Sequence, residues 1–315
     1  MVSGMGTLHD IIEARGRQGA LALDLERGIV EAAATYMADE EGGIGYLYSG
    51  WCQAALPHRR LPDAKGWQVD VDRVCLIVEP GMRRGSAGEP VPVGVPYGSR
   101  ARLILIYLQS EALRTSSRDV VLGNSLRDWM GRMGIPIGGK NLTIVREQTE
   151  RISRCRLTFE VRAGNRLGLA SQNIMDTAIF LEPTENATAQ TGMFAQTARL
   201  SEQFYEGLRR HPVPLEEAAI GAISNNSMAL DIYCWLAYRL HSLSKPTPLT
   251  WKALKVQFGA GFAQLNNFKG KFLPNLRLAL AVYPAARVTE QEDGKGLILH
   301  PSRPPVAPKL IMTSR

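Results

Sequence analysis

The sequence contains few residues of the kinds that hold metals or form disulfide bonds. Its four cysteines, Cys52, Cys75, Cys155 and Cys234, stand far apart with no C-x-x-C pair. The five histidines do not pair at metal-ligand spacing, and there is no His-x-His motif. We therefore expect neither a zinc site nor a disulfide framework, and we predict buried free thiols in a reducing cytosol.

A long apolar run is also missing from the 315 residues. No segment approaches the roughly 20 consecutive apolar residues of a membrane-spanning helix, and no basic-then-apolar leader opens the chain. We therefore expect a cytoplasmic protein with no membrane partner. Apolar residues still make up 45% of the chain, which is enough for two or three units that each bury a core.

Catalytic motifs are scarce, apart from one weak match. Residues Gly134 to Lys140 fit the G-x-x-x-x-G-K pattern of phosphate-binding loops. Such a loop needs a strand before it and a Ser or Thr after it, whereas a helical pattern precedes this one, Asn141 follows it, and Pro136 removes an amide. A turn between two helices explains the same residues. We predict no catalytic residue, no cofactor and no enzyme activity.

Acidic residues become scarcer along the chain. Residues 1–97 carry a net charge of −4, whereas residues 98–199 carry +5 and residues 200–315 carry +6. A basic two-thirds favours a polyanionic partner such as nucleic acid. A solvated basic surface without a partner would give the same totals, so charge alone leaves both interpretations open.

One order of elements occurs twice in the basic part. From Tyr97 to Val161 the pattern predicts a helix, a short strand, a helix, a tight turn, a basic helix and a strand. From Ser227 it predicts a similar helix, a Lys-Pro-Thr-Pro connection, a helix ending at Gly259, a long helix over 264–283 and a hairpin over 288–300. This order is typical of the winged helix, which places its second turn-linked helix in the DNA major groove.

The candidate DNA-binding residues are polar side chains predicted to face away from the cores of the two domains. In the first recognition helix, Leu142, Val145, Thr149 and Ile152 form the inward stripe at about 100° per residue. Pro274 lies within the second recognition helix and is expected to kink or restart it. The candidates are Lys140, Thr143, Arg146, Arg151 and Arg154 in the first helix, Arg162 and Arg166 in the first wing, and Asn266, Asn267, Lys269, Lys271 and Arg277 in the second helix.

These patterns predict an α+β protein with two tandem winged-helix domains. The predicted divisions are an N-terminal accessory segment of helices and strands at 1–96 that packs on the first domain, a first winged helix at 97–183, a linker at 184–199, a second winged helix at 200–301 and a tail at 302–315. The first wing is predicted as strands 156–163 and 174–181. Residues 201–223 are predicted as two short helices split by the sequence His-Pro-Val-Pro.

Several long strings resemble the plasmid-encoded RepA replication initiator proteins of bacteria. Examples are ALPHRRLPD from Ala55, MGIPIGGK from Met133, RRHPVP from Arg209 and NNSMALDIYCWLAYRLHSLSKPTPLTW from Asn225. The resemblance covers roughly 46–301 and implies a winged-helix initiator that binds duplex DNA at its plasmid's replication origin and recruits host replication proteins. A more distant likeness, to initiators that bind repeated sites as monomers and repress their own gene as dimers, implies repeated sites and a homodimer.

Three other functions stay open at this point. A winged-helix transcriptional regulator or autorepressor without initiator activity would carry the same DNA-binding domains. A P-loop-like nucleotide-binding enzyme would lose ATP binding when Lys140 is replaced by alanine. A protein-interaction module built on winged helices would show no salt-dependent affinity for DNA.

Overall fold

Helices and strands alternate along the part of the chain that this computed structural model describes, residues 5–40, 42–72, 74–163, 166–181 and 194–307. The helices are α1 (Met5–Leu21), α2 (Arg27–Met37), α3 (Ser49–Gln53), α4 (Gly98–Arg114), α5 (Leu126–Arg132), α6 (Gly139–Arg154), α7 (Glu202–Arg210), α8 (Glu217–Ala222), α9 (Ser227–Arg239), α10 (Trp251–Phe258) and α11 (Leu265–Ala281). The strands are β1 (Ile44–Tyr48), β2 (Trp67–Val71), β3 (Val74–Glu79), β4 (Met82–Arg84), β5 (Pro90–Pro92), β6 (Asp119–Val121), β7 (Arg156–Ala163), β8 (Arg166–Asn173), β9 (Met175–Leu181), β10 (Phe194–Leu200), β11 (Pro212–Glu216), β12 (Thr247–Thr250), β13 (Val288–Glu290) and β14 (Gly296–Leu299). The predicted α+β class is confirmed.

Helix α4 lies at the centre of the first basic part of the chain because its sequence is apolar on nearly every side. Ala101, Ile104 and Leu108 are fully buried. The helix packs on α6 and is followed by the short strand β6. Ser125 is the N-cap of α5. The helix–strand–helix–helix order predicted here is therefore present.

The same connectivity occurs twice. The first repeat consists of α4, β6, α5, α6, β9 and β10, with β7 and β8 inserted, and its sheet has the order β6-β10-β9. The second repeat consists of α9, β12, α10, α11, β13 and β14, and its sheet has the order β12-β14-β13. In both, the strand after the first helix pairs antiparallel with the last strand. The repetition thus extends from element order to strand pairing.

The first hairpin differs from the sequence prediction. Strand β7 pairs with β3 and with β8, so residues 156–163 do not pair with residues 174–181. Strand β9 pairs with β10 instead. The segment RLGLASQN of β8 has no β-branched or aromatic residue, and it is a strand because β7 supplies hydrogen-bond partners along its length.

The predicted linker at 184–199 is wrong for its last six residues. Residues 194–200 form β10, which pairs with both β9 and β6. Ala198 and Leu200 are buried in the core, although the surrounding small polar residues suggest a linker. Residues 182–193 lie outside the described part of the chain.

The N-terminal segment packs on both repeats, whereas we predicted from the sequence that it packs on the first domain alone. Strands β2 and β3 join the inserted hairpin in a four-stranded sheet of order β2-β3-β7-β8. Strand β1 pairs antiparallel with β11, from Ile44 opposite Glu216 to Tyr48 opposite Pro212. Helix α2 packs on α8 and α11. Residues 1–96 therefore include strands of sheets that the later chain completes.

The His-Pro-Val-Pro sequence does not simply separate two helices. Helices α7 and α8 are present, but Pro212–Glu216 between them forms β11. Strand β11 tolerates proline because it is an edge strand that pairs with β1 alone. Proline has no amide hydrogen to donate, and only an interior strand needs every amide hydrogen for pairing.

One apolar core runs through both repeats, since buried residues of α4, α6, α9 and α11 belong to a single cluster. A smaller cluster holds α1 and α2 against Ala281 at the end of α11. All four cysteines are buried. Within the described ranges, no helix is long and apolar enough to cross a membrane.

Candidate nucleic-acid interface

Helix α6, the first candidate recognition helix, begins after a glycine-rich turn and buries its apolar stripe. Val145 and Ile152 are fully buried and Thr149 nearly so, which confirms the predicted inward face. Gly138 is the N-cap in an extended conformation. A Cβ atom added at Gly138 or Gly139 would meet no atom within 4 Å. The first turn of α6 is therefore open to solvent.

Arg151 does not face solvent, although the helical period places it opposite the stripe. The chain just before α4 covers that side of α6, and Arg151 is only 2% exposed. Its Nη2 lies 2.7 Å from Asp63 Oδ1 and 2.8 Å from Glu147 Oε1. Its Nη1 donates to the carbonyl oxygen of Val95 at 3.1 Å, and its guanidinium lies 5.3 Å from the centre of the Tyr97 ring. The prediction that Arg151 points outward is wrong, and its contacts are those of a structural residue.

The carboxylate of Asp63, one of the two that contact Arg151, lies close to two arginines. Burial favours a higher pKa for Asp63, but hydrogen bonds from Arg151 and Arg60 outweigh burial and hold that pKa below its ordinary value. Arg60 lies 3.0 Å from Asp63 and 3.7 Å from Glu147. This network fixes α6 to the segment that precedes α4.

The side of α6 that remains open carries Lys140, Thr143, Arg146, Glu150 and Arg154, at about 100° per residue. Lys140 and Thr143, in the first two turns, are exposed, and Arg146 is half-buried. Arg154 in the last turn donates to the carbonyl oxygen of Met82 at 3.0 Å and lies 3.4 Å from Glu150. The first half of α6 is therefore more available to a ligand than the second half.

Helix α11, the second candidate, is continuous from Leu265 to Ala281 and contains Pro274 in its interior. Phe268 and Phe272 before the proline and Leu276 after it are all fully buried. The expected restart at Pro274 is therefore wrong. Tertiary packing of the aromatic face outweighs the one helical hydrogen bond that proline cannot donate.

The open residues of α11 lie in its first half. Asn266, Asn267 and Lys271 are exposed, and a Cβ atom at Gly270 would meet nothing within 4 Å. Lys269 is half-buried, with its Nζ 5.1 Å from the centre of the Trp251 ring. The electron-rich face of an indole attracts an ammonium group, so the Lys269 side chain is held close to α10.

The second half of α11 is covered by the N-terminal helices. Arg277 Nη1 lies 3.6 Å from Glu26 Oε2, and a ring nitrogen of His9 lies 2.9 Å from the carbonyl oxygen of Ala281. Arg277 also stands eleven positions beyond Asn266, or about 16 Å along the helix axis. The structure therefore separates Arg277 from the open half of α11.

Two lysines of α10 complete the basic surface of the second repeat and were not among the sequence candidates. Lys252 is exposed and Lys255 is half-buried. No Asp or Glu occurs from Ile232 to Thr289, a stretch with eight Lys or Arg residues. This absence of acids is the sequence signal that points to α10 as well as to α11.

The hairpin that carries the predicted basic residues of the first wing belongs to a different sheet from the one expected. Arg162 and Arg166 stand at the turn of the β7–β8 hairpin, which belongs to the sheet of β2 and β3 and not to that of β9 and β10. Their assignment to the wing of the first repeat is therefore wrong, and their side chains lie outside the described part. In the second repeat, the turn between β13 and β14 carries Glu292, Asp293 and Lys295, and Lys295 pairs with Asp293 at 3.0 Å.

The glycine-rich run from Gly134 to Lys140 connects two helices, α5 and α6. Gly134 has a left-handed φ of 64°, and the side chain of Asn141 donates to the carbonyl oxygen of Pro136 at 2.8 Å. No strand precedes the run, so its surroundings differ from those of a phosphate-binding loop. Among the residues described, no three His, Cys, Asp or Glu side chains cluster as metal ligands would.

Comparisons with known proteins identify one matching family and two crystal structures of similar fold. Residues 95–252 match the model of a family described as plasmid encoded RepA protein. No curated protein matches the chain. A crystal structure of domains 2 and 3 of RctB is similar in fold, with a TM-score of 0.53 and 12% identity over 81% of this chain and 98% of that chain. A second crystal structure of RctB domains 2–3 gives a TM-score of 0.49 and 12% identity over 79% and 94% of the two chains.

Proposed function

The chain belongs to the family of plasmid-encoded RepA proteins, and we propose that it initiates plasmid replication by binding duplex DNA at the origin through two winged-helix repeats. The family match begins just before α4 and ends in α10, so it spans the first repeat and the start of the second. The observation that carries the proposal is this match on a fold in which α6 and α11 both keep an open, basic first half.

In this proposal the lysines set affinity and the asparagines set sequence preference. Lys140, Lys252 and Lys271 would neutralise phosphates and release counterions from the duplex. Asparagine binds adenine through two hydrogen bonds, which discriminate against another base by about 1–3 kcal/mol. Asn266 and Asn267 would take that role, because the N-terminal residues of a recognition helix contact base edges.

The second repeat would supply most of the affinity. Its stretch from Ile232 to Thr289 lacks acidic residues, whereas α6 carries Glu147 and Glu150. Carboxylates near the phosphates oppose binding, so the first repeat would contribute position more than strength. Lys269 and Arg277, which have partners within the protein, would add to the field of the second repeat without contacting bases.

Family membership also supports the remaining parts of the proposal. An initiator brings the replication machinery of its host to the origin, so we propose host replication proteins as partners. We propose in addition a homodimeric form, repeated binding sites, a location in the bacterial cytoplasm and a role without enzymatic catalysis.

A footprint of the purified full chain on the DNA flanking its own gene tests the proposal, with an unrelated duplex of equal length as the control. We expect a ladder of evenly repeated protected sites, together with strand opening beside them. One protected site over a promoter, without strand opening, would favour a transcriptional regulator. Absence of salt-dependent duplex binding would overturn the proposal.

A further inference from the structure

The two repeats are packed together through their first helices, α4 and α9. The contact contains Arg102 and Asp231, which are 6% and 9% exposed. Arg102 Nε donates to Asp231 Oδ1 at 2.8 Å, and its Nη2 donates to Oδ2 at 2.7 Å, so the ion pair is bidentate. We call this ion pair, together with Arg100 and its partners, the inter-repeat interface.

Arg102 uses all of its donors within the protein. Its remaining N–H groups reach the carbonyl oxygens of Leu56 at 2.7 Å, Pro57 at 3.0 Å and Gly98 at 3.0 Å. A guanidinium has five N–H groups, and all five are satisfied here. Sliding α4 along α9 would leave a buried charge without its partner, which is strongly unfavourable. The geometry of the pair therefore fixes how the two helices lie against each other.

Arg100 connects the start of α6 to the second repeat. Its Nη2 donates to Oδ1 of Asn225 at 2.9 Å and to Oδ1 of Asn141 at 3.3 Å. Its Nη1 donates to the carbonyl oxygen of Ser224 at 3.5 Å. Asn141 lies in the first turn of α6, and Asn225 directly precedes Asn226, the N-cap of α9. One side chain thus joins the open end of a candidate recognition helix to the first helix of the other repeat.

Strand β1 adds an independent connection. The backbone amides of Tyr46 and Tyr48 donate to Ser110 Oγ and Gln109 Oε1 of α4, both at 2.7 Å. The same strand pairs along its whole length with β11, which also packs on α9. The repeats are therefore held by a buried ion pair, a bridging arginine and a shared strand, and not by a flexible linker.

We infer that the inter-repeat interface fixes the distance and rotation between α6 and α11, so that the protein selects duplexes by the spacing of the two contacted segments as well as by their sequence. The inference rests on the proposed function. B-DNA turns once in about 10–10.5 base pairs, so a rigid pair of recognition helices meets both segments at one spacing only. At any other spacing the gain of about 10²–10⁴ in affinity from linked binding is lost.

The test uses duplex DNA that the full chain selects from a randomised pool, with the two contacted segments located by footprinting. Insertions of about 5 and about 10 base pairs between the segments move the second by half a turn and by one turn. We expect both insertions to lower affinity by about 100-fold or more. Flexibly joined repeats would instead recover most of their affinity at the full-turn insertion, because the second segment returns to the same side of the duplex.

Variants of the inter-repeat interface test whether its residues cause the loss of affinity that an insertion produces. Arg100→Ala and Asp231→Asn replace no residue on the open faces of α6 and α11, and we expect each to reduce the penalty of the insertion of about 10 base pairs by about threefold or more. Arg118→Ala is the matched control, since Arg118 binds Asp176 and the carbonyl oxygen of Leu200 within and beside the first repeat. It should leave the penalty unchanged.

The outcomes separate the inference from the proposed function. Duplex binding by the native chain with an insertion penalty below about threefold would overturn the inference and leave the proposed function standing. An unchanged penalty in Arg100→Ala, or an equal reduction in Arg118→Ala, would overturn the role given to the interface. Absence of duplex binding by the native chain would overturn both. If Asp231→Asn fails to fold, the insertion series and Arg100→Ala still decide.

Discussion

Replacing Arg151 by alanine tests whether this side chain belongs to the fold or to the DNA surface. The substitution removes a guanidinium that is 2% exposed and that contacts two carboxylates, a carbonyl oxygen and an aromatic ring. We expect the variant to lose stability. Any loss of DNA binding should follow from partial unfolding rather than from a missing DNA contact.

The size of the loss follows from the groups that Arg151 leaves behind. The carbonyl oxygen of Val95 loses a buried donor, which costs about 1–3 kcal/mol, and the contact with the Tyr97 ring contributes about 0.5–2 kcal/mol. The carboxylates of Asp63 and Glu147 are 37% and 27% exposed, so water and Arg60 can replace part of the lost charge. The two ion pairs therefore contribute less than the 3–5 kcal/mol that breaking a fully buried pair costs. We expect the free energy of unfolding to fall by about 3 kcal/mol in total.

Urea unfolding followed by tryptophan fluorescence measures this loss, and Arg154→Ala is the control. Arg154 is an exposed arginine one turn later, and its replacement should change the free energy of unfolding by less than about 1 kcal/mol. The pKa of Asp63 is held below its ordinary value, so the ion pair stabilises fully above the unfolded-state pKa of about 3.9 and loses its contribution as the pH falls further. The gap between native chain and variant should therefore narrow below about pH 4.

The opposite result would refute this account. A loss of unfolding free energy below about 1 kcal/mol, together with weaker DNA binding at physiological salt, would show that Arg151 leaves its pocket and contacts DNA.

Lys271→Ala should weaken binding to all duplexes and reduce the slope of log affinity against log salt by about one unit, while Lys65→Ala, an exposed lysine of the N-terminal segment, should leave the slope unchanged. Burial, and then the neighbouring charge of Arg102, lower the pKa of His58 from 6.5 to about 4. The unfolded chain therefore binds a proton at His58 more readily than the native protein does, and the free energy of unfolding falls as the pH drops from about 6.5 towards 4. His58→Gln should reduce that fall by about 2–3 kcal/mol in unfolding titrations. A variant with the same pH dependence as the native chain would contradict this prediction. Pro274→Ala should restore a helical hydrogen bond and raise the free energy of unfolding by up to about 3 kcal/mol, so the midpoint of thermal unfolding should rise. A lower midpoint would show that the helix has a bend at this position that proline fits and alanine does not.

Much of the repeat was predictable because its signals are local. Helices α4, α6, α9 and α11 each repeat the apolar spacing of a helix over several turns. Arg156–Ala163 is a strand with the predicted limits, and the helix predicted to end at Gly259 has Gly259 as its C-cap. These elements depend on residues within a few positions of one another, so their limits could be found without the rest of the fold.

The features that were missed depend on distant partners. The helical period gives the direction of Arg151 relative to its own helix, but not the segment near Val95 that covers it. Strand β11 contains two prolines and is recognisable only beside β1. DNA contact by Lys140, Thr143, Arg146 and Arg154, and by the residues of α11, stays a prediction, because exposure makes a side chain available without showing what binds it.

The pairing of β1 with β11 affects how the protein is made. Ile44 pairs with Glu216, so β1 cannot pair with β11 until the intervening residues, more than half of the chain, have been translated. At about 5–20 residues per second, that wait is about 10–30 s. Through this interval β1 presents unpaired backbone and apolar side chains, which are prone to aggregate. Nascent chains are therefore expected to need chaperones until the second repeat leaves the ribosome, and prematurely ended chains should accumulate as aggregates.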